Sequence, residues 1–261
     1  MRTLTLLSSL ALLGCKAPVE APSELNELSR YLYREWDNED PEVMQRGLEN
    51  LAVFMDGLDM DAGVNDRSFL MEPPTAEDLA DIDRPEERDP ADMLGVSVAF
   101  KSQWTVADHA RLQKKSDQTP TEPTAESYAR DADPSDCFTA RSCDTIRTVN
   151  EIRRENFLMK VNFTLYKDFR WVDVDGGQAL ISRSWTDQIW EGDGGDGAIY
   201  QSHSIDVWMP DGNSSRRWQL VWSESDVGVS DEDLITGTLK VTVDNIFDKG
   251  DKAIDELFYA D

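Results

Sequence analysis

The sequence predicts an α+β domain, a curved antiparallel β-meander of about six strands on a long C-terminal helix, with helices added at the N-terminal end. Three observations carry this. From about residue 144 apolar and polar residues alternate; the alternating runs are separated by Asp/Asn-Gly turns; and the last segment places its apolar residues at the helical period.

Each element follows in order. Leu25, Leu28, Tyr31 and Leu32 lie at helical spacing after Ser23. Pro41 then opens a second helix with the stripe Val43, Met44, Gly47, Leu48, Leu51, Phe54, Met55 and Leu58, so residues 23–60 form a helical N-terminal addition. Residues 61–93 are acidic and broken by Pro73, Pro74, Pro85 and Pro90, which predicts a loop-rich surface segment with one helical turn near residues 76–82. The sheet-and-helix domain, 94–261, opens on a half-buried strand through Val96, Val98, Phe100, Ser102 and Trp104. Residues 105–115 read as helix and 116–135 as a polar loop. The next strand, 157–172, aligns Phe157, Met159, Val161, Phe163, Leu165, Phe169 and Trp171 on one face. Strands 178–190, 198–209 and 216–224 follow, joined by Asp175-Gly176-Gly177, the Gly-rich 191–197 loop and Asp211-Gly212-Asn213. Leu239, Lys240, Val241, Thr242 and Val243 have strand propensity. Yet Leu239, Val243, Ile246, Phe247, Gly250, Ile254, Leu257 and Phe258 fall on one helical face, so the period predicts a helix starting between Asp231 and Thr238.

The chain has 52 acidic residues against 26 Lys+Arg, a formal net charge of −26. That excludes nucleic acid as a partner, because a polyanion is gripped by neutralising its phosphates. It also argues against docking on anionic lipid through a basic face.

Met1 and Arg2 precede an apolar run, Leu4 to Leu13, long enough for a secretory signal and too short to span a bilayer. The run ends in Leu12-Leu13-Gly14-Cys15, which resembles the lipobox of bacterial lipoproteins. The resemblance implies that residues 1–14 are removed, that Cys15 is lipidated, and that residues 15–22 tether an exported body to the membrane. Lys16 at the next position implies the outer membrane. Several acyl chains hold a protein where one would be marginal. In an exported chain the remaining cysteines, Cys137 and Cys143, are expected to form a disulfide closing a short loop.

The order of strand, helix, loop, meander and final helix over residues 94–259 resembles the helix-grip fold of START-type lipid-binding domains, and also outer-membrane lipoprotein carriers. The resemblance implies an apolar cavity between the sheet and the last helix. Pairing inward residues with inward residues centres the three hairpins near Gly176, Gly194 and Gly212/Asn213. Four rows then cross the sheet: Trp171, Ile181, Val207 and Trp218; Phe169, Arg183, Ile205 and Leu220; Lys167, Trp185, His203 and Trp222; Leu165, Asp187, Gln201 and Glu224. Unpaired charges are costly to bury, so the polar members are paired, solvated or near an opening. One reading is a pocket with a Trp-rich floor and a mouth of Lys167, Arg183, Asp187, Gln201, His203 and Glu224; the other is a set of rim ion pairs where the strands leave the core.

No catalytic, metal or cofactor motif accompanies these residues. Asp187, His203 and Glu224 lack the spacing of a metal or acid–base site, and a lone inner-strand His reads as a hydrogen-bonded core residue. The acidic stretches 173–177 and 191–197 do not continue into a calcium loop and read as hairpin turns. The expectation is a non-enzymatic envelope lipoprotein, bound to the membrane by its N-terminal lipid, that holds a hydrophobic or amphipathic ligand. The alternative is an interaction lipoprotein without a pocket, docking through outward Trp190 and Trp208 or through the acidic segment.

Overall fold

The computed structural model of the chain describes residues 19–132, 135–155, 160–195, 197–228 and 231–260. The signal segment, Cys15, and the strand residues Phe157 and Met159 lie outside the described residues. The expected α1 (Leu25–Arg34) and α2 (Pro41–Asp56) are present. Asp40 caps α2, its carboxylate accepting from the Glu42 N–H with Pro41 in the first turn. Asn50 on α2 donates to the carbonyls of Ala21 and Pro22, both at 2.9 Å, which pins the end of the predicted tether.

The segment read as loop-rich, 61–93, contains β1 (Ser68–Met71), and it buries Met71, Leu79 and Met93 in the main core. Leu94–Ser102 forms β2, as its alternation predicts, and Val106–Gln113 forms α3 behind a Thr105–Asp108 capping box. The predicted polar loop 116–135 is corrected too: Ala125–Ala132 is β3, an edge strand. Its inward Arg130 hid it from a hydrophobicity pattern. That guanidinium is buried yet satisfied, donating to Asn150 Oδ1 (2.7 Å), the Gln113 carbonyl (2.6 Å) and side chain (2.8 Å), and the Tyr128 hydroxyl (3.1 Å). Short α4 (Ser135–Thr139) follows, with the Cys137 and Cys143 sulfurs at disulfide distance, 2.17 Å.

The rest is β4 (Thr145–Glu155), β5 (Lys160–Val174), β6 (Gly177–Trp185), β7 (Trp190–Glu191), β8 (Ala198–Asp211), β9 (Ser214–Asp226) and α5 (Glu232–Phe258). The described strands form one antiparallel sheet of nine, not about six, ordered β1-β2-β9-β8-β6-β5-β4-β3 with β7 on β8. The extra strands are short or carry polar inward residues, so they lack an apolar alternation. α5 starts where its period predicts, with Asp231 capping it through the Leu234 N–H.

The sheet is covered on both faces. On one, Ile181, Ile205, Val207, Trp218, Leu220 and Trp222 pack against Leu28, Leu32, Tyr33, Met44, Leu48 and Leu51 of α1 and α2. On the other, Val96 and Val98 meet Val243 and Phe247 of α5, and Leu112 of α3 meets Ala253 and Ile254. The far end of α5 is fixed by Trp104. Its ring stacks on Tyr259 at 4.5 Å, and its indole N–H donates to the Asp251 carbonyl.

Candidate functional site

Register decides where the site lies. The β6–β8 and β8–β9 pairings match the predicted centres, with Ile181 opposite Val207 and Val207 opposite Trp218. The β5–β6 hairpin does not: Val174 pairs with Gly177 across a two-residue Asp175-Gly176 turn, so Trp171 faces Leu180 and Lys167 faces Ser184. Gly176 and Gly177 take φ of +88° and +147°, which lets the tighter turn close. A shift of one residue moves a whole strand face to the other side. Lys167, Phe169 and Trp171 therefore stand on the opposite face from the other predicted pocket residues.

Those others do not line the cavity beneath α5; α1, α2 and the 61–93 segment cover most of them. Trp218 and Trp222 lie in the dry core, and the Trp222 indole donates to the Glu72 carbonyl at 2.8 Å. Arg183 binds Asp37 (2.7 Å) and Asp168 (3.3 Å), and Asp168 also takes a bidentate contact from Arg147. Gln201 donates to the Asp89 carbonyl and to Glu224, which pairs with Arg88. His203 Nδ1 lies 3.3 Å from the Tyr33 hydroxyl. Burial pushes the His203 imidazole down to about 3, so it is neutral near pH 7. Trp185 stacks on Tyr166, and Asp187 follows β6 with a buried Oδ1 that has no hydrogen-bond partner among the described residues. Asp37, Tyr33, Asp89 and Arg88, which meet Arg183, His203, Gln201 and Glu224, come from the N-terminal segments read as an addition and a surface loop. Trp208, expected outward, is fully buried among Val106, Ala110, Phe138, Phe169 and Leu180.

The cavity lies on the other face, beneath α5, with a volume of about 400 Å³. The N-terminal half of α5 roofs it with Leu234, Ile235, Thr238, Leu239, Thr242 and Val243. Ser184 on β6, Ser202 and Ser204 on β8, and Ser223 and Ser225 on β9 supply much of the floor. Small side chains there leave volume that the tryptophans fill on the opposite face. Apolar walls come from Ile152, Phe163, Leu165, Ile199 and Val221; Thr121, Glu122 and Thr124 line it from the segment before β3.

Lys167, Asp206, Arg217 and Arg130 share the cavity wall. Asp206 Oδ2 accepts from Arg217 at 2.8 Å and lies 3.9 Å from the Lys167 ammonium. Arg217 is wedged over Trp208 and Phe247, at 4.8 and 4.3 Å from their ring centres. Asp206 Oδ1, Arg217 Nε and Gln219 Oε1 are buried without a hydrogen-bond partner among the described residues. Lys167 is pushed down to about 8, first by burial and then by Arg130 and Arg217, against the pull of Asp206.

Of the predicted pocket residues only Lys167 lines this cavity. The missed ones are its serines, Asp206, Arg217, Gln219 and the β3 residues Tyr128 and Arg130. Their signal was present as the polar half of each strand's alternation, which reads as a solvent face until a helix is known to cover it. The chemistry the wall offers is charge and hydrogen bonding beside apolar surface. The other histidine, His109, lies outside the cavity, bonded to Ser102 Oγ at 2.9 Å. No cluster of His, Cys, Asp or Glu among the described residues could hold a metal ion.

No protein-family model matches the chain, and no curated protein matches it in sequence. Similar solved structures include a STAR-related lipid transfer protein from Xanthomonas axonopodis (12% identity, TM-score 0.44, covering 62% of this chain and 86% of that one). A START superfamily protein from Mycobacterium smegmatis has 11% identity and a TM-score of 0.41, covering 62% and 98%. An aromatase/cyclase from a Streptomyces species has 8% identity and a TM-score of 0.42, covering 64% and 97%.

Proposed function

We propose that this protein binds a hydrophobic or amphipathic small molecule without chemically changing it, in an exported body anchored by lipid on Cys15 to the cell envelope, at the outer membrane. The observation that carries the reading is the cavity of about 400 Å³ between the serine-floored sheet face and α5, within the size range of small-molecule sites. Its apolar walls favour burial of a hydrocarbon or ring portion, and its charged wall gives a polar portion somewhere to bond. Both histidines lie outside the cavity, buried and held neutral. No helix among the described residues is long and apolar enough to cross a membrane.

Native mass spectrometry of the delipidated protein tests the binding. A co-purifying small molecule, lost when Ser204→Trp fills the cavity floor, is the expected result. A ligand-free mass, unchanged on incubation with a panel of lipids, overturns the reading.

A further inference from the structure

Within that reading, the cavity wall selects the charge of the ligand. Lys167 is only 8% exposed, and its ammonium makes no hydrogen bond among the described residues. The nearest carboxylate oxygen, Asp206 Oδ2, is 3.9 Å away and already accepts from Arg217 at 2.8 Å. The charged groups that face Lys167 can be counted element by element: Asp206 from β8, Arg217 from β9, Arg130 from β3, and Glu122 from the segment before β3. Arg154 of β4 also lines the cavity, 3.7 Å from Glu122, so those two offset each other. The cavity-lining residues of α5 carry no charge. Among the lining residues Arg130, Arg154, Lys167 and Arg217 thus meet only Glu122 and Asp206, an excess of positive charge inside a chain whose net charge is −26; Asp251 of α5, outside the lining, acts on Arg217 from behind. A buried ammonium that reaches its one carboxylate only at 3.9 Å, and shares it with a guanidinium, is under-compensated, a cost that an incoming anion lowers.

We infer that the ligand is an amphiphile with an anionic carboxylate head, seated with that head against the Lys167 ammonium beside Arg217 and its apolar part under the N-terminal half of α5. The carboxylate supplies the acceptor that Lys167 lacks. It also leaves the Asp206–Arg217 pair intact, since Asp206 keeps its existing donor. Cationic amphiphiles of the same length are repelled by this wall, and neutral ones bind it more weakly because they bring no charge to meet Lys167.

The experiment uses the full chain carrying Cys15→Ser, so that no acyl chain of its own competes, titrated calorimetrically with tetradecanoic acid and with tetradecanol. The acid is expected to bind about tenfold more tightly at pH 7, the equivalent of one charge-assisted hydrogen bond. Lys167→Met should bring the acid to within about twofold of the alcohol while leaving the alcohol unchanged, and Lys167→Arg should restore the preference. A second measurement needs no variant. Because the ammonium titrates near 8, the acid should weaken between pH 7 and 9.5 while the alcohol does not. Equal binding of acid and alcohol, or an acid affinity flat across that range, overturns the carboxylate assignment and leaves the cavity reading standing. Failure of both compounds to bind overturns both.

Discussion

His203 and Lys167 show how burial turns single residues into pH sensors of the native state. His203 titrates near 6.5 in the unfolded chain and near 3 in the folded one, so between those values only the unfolded state takes up the proton. Stability is therefore full above pH 6.5 and is lost as pH falls through that window, at about 1.4 kcal/mol per pH unit per histidine. His109, also held well below its ordinary value by burial, acts in the same direction. Urea midpoints measured from pH 7 to 4 should fall more shallowly in His203→Leu than in the parent; an identical slope would remove His203 from the account. Lys167 acts at the alkaline end. Its folded value is about 8, so the unfolded state holds the extra proton from there up to about 10.4. Stability rises with pH across that window, and Lys167→Met should abolish that part of the rise while raising stability at pH 7. The identity of these residues was legible, but their titration was not, because it depends on which segment covers them.

At the scale of elements, two tight contacts fix the sheet and its cover. A Cβ at Gly95 in β2 would come within 2.5 Å of the Met71 carbonyl oxygen and 2.8 Å of the Trp222 ring. Gly95→Ala should therefore force β1 away and lower the urea-derived stability by about 2–3 kcal/mol, as overpacking does. Leu48 on α2 is fully buried, whereas Val53 on the same helix is 71% exposed. Leu48→Ala should cost about 2–5 kcal/mol and Val53→Ala about 0.5 kcal/mol or less. Equal small effects would mean that α2 does not cover the core. Helices α1, α2, α3 and α5 were legible because amphipathic periods are local. β1 and β3 were not: Ser68–Met71 is too short for alternation to register, and β3 hides its inward position under Arg130. The β5–β6 turn was misjudged by one residue, since Asp175-Gly176-Gly177 suits either a two- or a three-residue loop and only the packing of both flanking strands chooses.

For the whole molecule, the arrangement is a sheet with a dry face under α1 and α2 and a hollow face under α5. The Cys137–Cys143 loop contributes on this scale through the unfolded chain. Closing so few residues is worth about 2 kcal/mol, so mild reduction should lower the melting temperature without unfolding the protein. Palmitate labelling should follow Cys15 and vanish in Cys15→Ala; retained label would remove the anchor from the proposal. The sequence by itself determined the class of the fold, the antiparallel order with its last helix, the two correct hairpin registers and the expectation of an exported chain. The fold features are written in short-range periodicity and turn chemistry, and the expectation of export rests on the apolar run at residues 4–13. Only the tertiary structure decided which sheet face holds the cavity. In β8 and β9 large apolar residues alternate with serines, Asp206, Arg217 and Gln219. The apolar half looks like the face a final helix would grip, yet α1 and α2 take it, and α5 covers the polar half. A sequence records that one face is apolar and the other small and polar. Whether the second meets water or encloses a cavity depends on a helix that lies far away along the chain.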